Sequence, residues 1–303
     1  DRIYQVTLAW ERLSQILARR VEVEGSKDER VELLTRLGRL HLGDLGDMPG
    51  AEKAFRRIID QLAVPHLPAL EGLEQIYGQT GEWPKLYDVY KMQVDAVMGD
   101  AARSEVYAKM ALLAADALER PAEAVGLWQK VLDIRGEEAE PLRSLAVLHE
   151  LLEQWTDLDA TLERLVHIVD QDQERTGIFL KIGEIRHDRL EKSSDALDAY
   201  QQVLDIDFAN LEALRRRAAI FAERSEWDDL IETLQRLVDA GAGQLAPEEL
   251  AEIHAQMALV FAEQLDRSYD AIESWRHVLE AAPRDPRALD RLEALLKQEE
   301  RWQ

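Results

Sequence analysis

The chain has 303 residues, no cysteine, and 37 basic against 60 acidic side chains, which gives a net charge of −23. The absence of cysteine excludes disulfides, thiolate metal sites and a cysteine nucleophile. The acidic excess is spread along the chain, so the sequence offers no concentrated basic face for nucleic acid or for an anionic membrane surface.

No segment is apolar over the length that a membrane-spanning helix needs, and residues 1–30 lack the basic start and apolar middle of a secretion signal. A chain without cysteine suits the cytoplasm and the periplasm, and we favour the cytoplasm. The 28 Arg against 9 Lys, together with many Ala and Leu, indicate a GC-rich bacterial genome.

In chain order, the predicted elements are amphipathic helices, because apolar residues recur at helical spacing and strand-like alternation is confined to a few residues. The pattern is clearest in 32–42, 50–60, 82–94, 106–118, 123–133, 141–152, 154–166, 195–205, 213–223, 226–238 and 270–280. The composition is even and no linker rich in Ser, Gly or Pro interrupts it. We therefore expect an all-α fold, built as a single array over residues 1–303.

Aromatic residues mark an internal period. One series recurs after 73, 72, 72 and 75 residues, and its members are Trp10, Trp83, Trp155, Trp227 and Trp302. A second series recurs after 73, 72 and 75 residues, and its members are Phe55, Trp128, Tyr200 and Trp275. A unit of about 72 residues that holds four helices predicts two helical hairpins of about 36 residues each.

The hairpins resemble the tetratricopeptide repeat, whose pattern of about 34 residues is W-x2-L-G-x2-Y, then A-x3-F, then Pro. In one hairpin, the first helix carries the large, aliphatic and small residues of that pattern as Phe179, Ile182 and Gly183. Its second helix carries Ala196 and Tyr200. Alternate hairpins have Leu in place of the small residue of the second helix. The resemblance implies an α-solenoid of stacked helical hairpins, wound as a right-handed superhelix.

Both ends of the chain fall within the repeat pattern. We count seven complete hairpins, preceded by the end of a first helix with its partner and followed by a lone first helix. Tyr4 precedes Trp10 by six residues, a spacing that recurs before later tryptophans, and Trp302 stands where another second helix would start. Because terminal repeats normally carry polar caps, we expect an array cut from a longer one. Extra residues with two Gly and a Pro predict a hinge near 240–248.

The resemblance implies that partner proteins or peptides bind on a concave face lined by first helices. The residue after the large position of each first helix is expected to face this groove, and these residues are Thr35, Glu71, Ala108, Arg143, Leu180, Arg215, Ala255 and Asp290. Arg143 and Arg215 are equivalent on successive double repeats, and we hypothesise that they bind carboxylates of a partner. We place Glu150 and Glu184 on the same face. Solvated or internally paired arginines explain the same pattern.

Arg217 stands where other hairpins carry Leu, an interior position in which an unpaired charge is costly. We interpret it first as a snorkelling or locally paired side chain and second as a groove residue. The seven His are scattered without an H-E-x-x-H motif, and the sequence contains no P-loop, dinucleotide-binding or G-x-S-x-G motif. We therefore expect no enzymatic activity, no catalytic residues, no cofactor and no metal.

Three functions remain open at this stage. The first is a protein-interaction scaffold that binds partner proteins or peptides on its concave face. The second is a regulatory or adaptor arm of a larger multidomain protein. The third is an architectural spacer that self-associates through its repeat ends, and in none of the three do we expect nucleic acid binding or membrane insertion.

Overall fold

The computed structural model describes residues 9–62 and 65–298, and all regular secondary structure in this part of the chain is helical. The chain divides into two compact units, Asp1–Gln154 and Trp155–Gln303. The helices of the first unit are α1 (Trp10–Val23), α2 (Lys27–Leu42), α3 (Met48–Arg56), α4 (Leu67–Thr80), α5 (Trp83–Ala96), α6 (Asp100–Asp116), α7 (Pro121–Arg135) and α8 (Ala139–Leu151). Those of the second unit are α9 (Trp155–Val166), α10 (Asp172–Glu184), α11 (Ser193–Ile206), α12 (Leu211–Glu223), α13 (Trp227–Ala240), α14 (Pro247–Glu263), α15 (Ser268–Ala281) and α16 (Pro286–Gln298). A π-helical turn extends α3 over Arg57–Gln61, and another extends α10 over Ile185–Arg189.

The helix starts follow from local chemistry. At the start of α3, Asp47 Oδ1 accepts a hydrogen bond of 3.1 Å from the backbone N–H of Gly50. At the start of α12, Asn210 Oδ1 accepts one of 3.0 Å from the N–H of Ala213. Such bonds satisfy backbone donors that the first turn of a helix leaves free. Proline, whose missing N–H costs nothing there, stands in the first turn of α3, α4, α5, α7 and α14.

Within each unit, helices that follow one another in sequence pack against each other as hairpins. Small residues of the first helices make room for rings of the second helices. A Cβ atom added at Gly38 would lie 2.4 Å from the ring of Phe55, and one at Gly183 would lie 2.5 Å from the ring of Tyr200. Burial raises the pKa of Tyr200 to about 12. The prediction of an all-α stack of helical hairpins with paired small and aromatic positions is confirmed.

The turn after a first helix repeats one backbone feature. In the seven described turns of this kind, one residue has a positive φ, and these residues are Gly46, Gly81, Glu119, Glu153, Glu191, Ser225 and Asp266. Five of them are not Gly, with φ between 52° and 57°. The left-handed conformation costs a residue with a Cβ atom about 1 kcal/mol. Packing of the two helices therefore imposes this turn even where the local sequence does not favour it.

Two expectations about organisation stay predictions, namely the single array over residues 1–303 and the hinge near 240–248. The turn between α13 and α14 contains Leu245, whose side chain is buried in the core of the second unit and lies against Gly241. Tyr4 and Trp302, on which the inference about the chain ends depended, lie outside the described residues.

Candidate functional site

In the second unit, ion pairs join neighbouring first helices. We call the surface formed by α12, α14 and α16 the groove face of this unit. Arg215 Nη2 on α12 lies 2.6 Å from Glu249 Oε1 on α14, and Arg287 Nη2 on α16 lies 3.0 Å from Glu252 Oε2 on α14. These cross-helix pairs show that the side chains involved lie on the same face.

A cavity of about 410 Å³ opens on this face between α14 and α16. Trp275 of the second helix α15 is only 3% exposed and forms its floor. Ala255 and Leu259 add apolar surface, and the polar lining consists of Glu252, Gln256, Arg287, Asp290 and Arg291. An apolar floor with charged groups at the rim can accept an apolar side chain and a carboxylate from the same ligand.

Arg287, at the rim of this cavity, pairs with both Glu252 and Asp285. Hydrogen bonds to Asp285 and Glu252 raise the pKa of Arg287. The same bond from Arg287 lowers the pKa of the Asp285 carboxyl. Because Arg287 is more than half exposed, these ion pairs contribute little to stability, and a ligand carboxylate can exchange with them at low cost.

The residues predicted for the groove fall in both units. Arg143 and Glu150 lie exposed on α8 of the first unit. Glu184 ends α10 of the second unit, and its Oε1 lies 3.8 Å from Lys181 Nζ. Arg215 is exposed and makes the ion pair with Glu249 described above. Two other residues predicted to face the groove, Ala255 and Asp290, both line the cavity between α14 and α16.

Arg217 contacts a second helix. Its Nη1 donates a hydrogen bond to Gln201 Oε1 on α11, and its guanidinium carbon lies 5.5 Å from the ring centroid of Phe221. Its buried Nε has no hydrogen-bond partner among the described residues. Burial, and to a lesser extent the nearby charge of Arg236, lowers the pKa of Arg217. The half-buried guanidinium therefore has an incomplete set of partners.

Apart from Ala255 and Asp290, the residues that line the cavity were not predicted to face the groove. Trp275, a member of the second aromatic series, is buried and also lines the cavity. Arg287 and Arg291 were not considered. The available signal was their spacing of four residues around Asp290, which places all three on neighbouring turns of one helix.

Over residues 9–62 and 65–298, no helix is both long and apolar enough to cross a membrane. The same residues contain no group of three or more His, Asp or Glu side chains placed to hold a metal ion. The expectations of no metal, no cofactor and no catalysis stay predictions.

No protein-family model matches the chain, and no curated protein matches it in sequence. Among solved structures, a chain of the Naa15/Naa10 complex bound to HypK-THB aligns with 88% of this chain at 19% identity and a TM-score of 0.51, and the alignment spans 39% of that longer chain. YrrB, a TPR protein with an unusual peptide-binding site, aligns with 62% of this chain and 90% of its own length, at 15% identity and a TM-score of 0.40. The C-terminal part of a TPR repeat-containing protein from Cytophaga hutchinsonii aligns with 85% of this chain and 99% of its own length, at 13% identity and a TM-score of 0.46. With the observed stack of hairpins, the first of these alignments shows that the chain has a tetratricopeptide-like helical repeat fold.

Proposed function

We propose that the chain is a protein-interaction scaffold that binds partner proteins or peptides on its groove face. The observation that carries this proposal is the cavity between α14 and α16, because it combines a buried aromatic floor with two arginines at its rim. Its volume of about 410 Å³ falls within the range of about 300–1,000 Å³ that is usual for ligand pockets. An extended or helical segment with one apolar and one acidic side chain fits this lining.

The predicted groove residues extend the same proposal. Arg215 is 41% exposed and pairs with the equally exposed Glu249. Exposed pairs of this kind contribute about 0–1 kcal/mol, so a partner carboxylate can replace Glu249 at little cost. We propose the same role for Arg143 in the first unit and assign Glu150 and Glu184 to the surrounding surface. Arg217 is a weaker candidate for partner binding, because its guanidinium contacts Gln201 of a second helix.

The proposal is tested by capturing partners from a lysate of the organism that encodes the sequence, with mass spectrometry as the readout. Two variants accompany the wild type: Arg287→Glu/Arg291→Glu on the groove face, and Arg267→Glu/Arg276→Glu as a control. Arg267 and Arg276 are surface arginines that pair with Asp270 and Glu273, outside the groove face. A partner held by the wild type and the control but lost by the groove variant supports the proposal. Equal loss from both variants, or a partner retained by both, contradicts it.

The predicted carboxylate-binding arginines need a separate variant. Arg143→Glu/Arg215→Glu reverses both charges without changing the cavity between α14 and α16. If these arginines bind the partner, the amount of partner captured falls as it does with Arg287→Glu/Arg291→Glu. Full recovery of the partner would remove Arg143 and Arg215 from the site while leaving the cavity in place.

Self-association is a second candidate, favoured by one observation. Helix α16 buries only Ala288 fully, and Leu289 is 50% exposed, so apolar surface remains on this helix. Sedimentation velocity over a range of concentrations tests it. A concentration-dependent dimer that Leu289→Lys abolishes would support a spacer or self-assembling role, and a monomer at every concentration would dismiss it.

A further inference from the structure

Cavities also recur on the side of the stack formed by second helices. The first outer cavity of the first unit, about 310 Å³, lies among α1, α2 and α3, and the second outer cavity, about 390 Å³, lies among α5, α6 and α7. Their linings correspond at a spacing of 73 residues, as Val21 with Val94 and Leu37 with Met110 show. The repeat therefore builds the same cavity twice within this unit.

Basic residues line both outer cavities. Lys53 and Arg57 line the first, where Arg57 pairs with Glu22 of the same lining, and Lys91 and Lys130 line the second. In the second unit, the equivalent cavity has His277 at the position of Lys130. In a chain with a net charge of −23, the second outer cavity stands out from the surrounding surface, because its lining contains two lysines and one carboxylate.

The second outer cavity leaves its lysines available. Lys91 Nζ lies 4.8 Å from the ring centroid of Tyr87, and Lys130 Nζ lies 5.1 Å from that of Tyr107. The one acidic residue in the lining, Glu123, accepts a hydrogen bond of 2.6 Å from the hydroxyl of Tyr87. Lys91 pairs only with the exposed Asp88, and among the described residues Lys130 has no carboxylate within ion-pair distance. The rings orient the ammonium groups but do not neutralise them.

In the second unit, the position equivalent to the second outer cavity has an acidic lining and is occupied by an arginine side chain. Asp159 and Glu163 stand 72 residues after Tyr87 and Lys91, and the side chain of Arg186 fills the space between them. Arg186 Nε lies 2.9 Å from Asp159 Oδ1, and its Nη1 also reaches the backbone oxygen of Asp195, the equivalent of Glu123. The π-helical turn Ile185–Arg189 carries this arginine.

The carboxylates of Asp159 and Glu163 stabilise the charged form of Arg186 at this position. Burial acts to lower the pKa of Arg186, but the hydrogen bonds to Glu163 and Asp159 outweigh it and raise the pKa. The equivalent position in the second outer cavity is Ala114, which supplies no charged group. In the second unit, Arg186 occupies the space between two carboxylates. The equivalent space in the second outer cavity is therefore open, and lysines line it.

We propose that the second outer cavity of the first unit binds Asp or Glu side chains from an acidic segment of a partner protein. The occupant has the opposite charge to Arg186 because the lining has the opposite charge. This cavity lies among α5, α6 and α7 of the first unit and does not depend on the groove face of the second unit. It gives the chain a second, separate interaction site.

The test uses fluorescence anisotropy at low ionic strength with a labelled synthetic peptide of alternating Glu and Ala, and with its Gln counterpart. The wild type is expected to bind the Glu peptide about tenfold or more tightly than the Gln peptide. Lys91→Gln/Lys130→Gln is expected to remove that preference. The control, Lys27→Gln/Lys109→Gln, removes the same charge elsewhere in the unit and is expected to keep it. Circular dichroism confirms that all variants fold.

Two results would overturn this proposal. One is unchanged Glu-peptide binding by Lys91→Gln/Lys130→Gln, or an equal loss in the control, because the charge of the cavity then has no specific role. The other is tighter binding of oligodeoxythymidine that the same cavity variant abolishes, which would assign the site to phosphates. Neither result bears on the groove face, so the two proposals fail independently.

Discussion

Arg217 is half-buried, and within residues 9–62 and 65–298 its guanidinium bonds to Gln201 while its Nε has no hydrogen-bond partner. Because equivalent positions elsewhere carry Leu, we expect Arg217→Leu to stabilise the fold by about 1 kcal/mol, through removal of an unsatisfied buried donor. Urea unfolding measures the change. Arg216→Leu is the matched control, since the Arg216 side chain is 43% exposed and pairs with Glu212, and it should give no gain. A lower stability for Arg217→Leu than for Arg216→Leu would show that the guanidinium is well accommodated.

Gly183 tests the packing of the hairpin core. A Cβ atom at this position would lie 2.5 Å from the ring of Tyr200, so Gly183→Ala is expected to destabilise the fold by about 1–3 kcal/mol. Gly177 lies on the same helix with nothing within 4 Å of an added Cβ atom. Gly177→Ala should therefore stabilise by about 0.5–1 kcal/mol through helix propensity. Equal effects of the two changes in thermal unfolding would contradict the packing described here.

His254 makes stability depend on pH. Burial, followed by the nearby His277, lowers its pKa below the ordinary value of 6.5, while Glu280 acts in the opposite direction. As pH falls below 6.5, the unfolded chain binds the proton first, so stability decreases until the pH passes the lowered pKa of the folded state. We expect the wild type to lose more stability than His254→Phe between about pH 7.5 and 5. Parallel losses in urea unfolding at the two pH values would refute this assignment.

At the scale of the helical elements, the turns inside the hairpins offer a reciprocal test. Glu191 has a φ of 55° and lies exposed, whereas Gly81 has a φ of 72° in the equivalent type of turn. Glu191→Gly should stabilise by about 0.5–1 kcal/mol, and Gly81→Ala should destabilise by a similar amount. Chemical denaturation of both variants measures the pair. Destabilisation by Glu191→Gly would mean that its side chain contributes more than the left-handed backbone costs.

The helices themselves could be predicted because their apolar periodicity survives in each repeat. The segment 195–205, for example, lies within α11, and 226–238 starts one residue before α13. The left-handed turns could not be predicted at Glu119 or Ser225, because neither residue favours that conformation and only the packing of two helices requires it. The π-helical turn that carries Arg186 could not be predicted either, because the 72-residue spacing of the repeat is unchanged across it.

At the scale of the whole molecule, the division after Gln154 has no counterpart in the sequence. Trp155 keeps its 72-residue spacing from Trp83, so periodicity continues across the boundary. Ala255 and Asp290, which line the cavity between α14 and α16, were among the positions predicted from the repeat, since each follows a fixed position of it. Arg287 and Arg291 could not, because the prediction assigned one groove residue to each helix, while a cavity between helices draws on several turns.

The central claim is that partners bind on the groove face, and site-specific photo-crosslinking tests it most directly. A photoreactive phenylalanine analogue replaces Gln256, which is exposed and lines the cavity between α14 and α16, or Gln235, which is also exposed and lies on the second helix α13. Irradiation in a lysate is followed by gel analysis of adducts. We expect a partner adduct at Gln256 and none at Gln235. Adducts only at Gln235, or equal adducts at both positions, would contradict binding on the groove face.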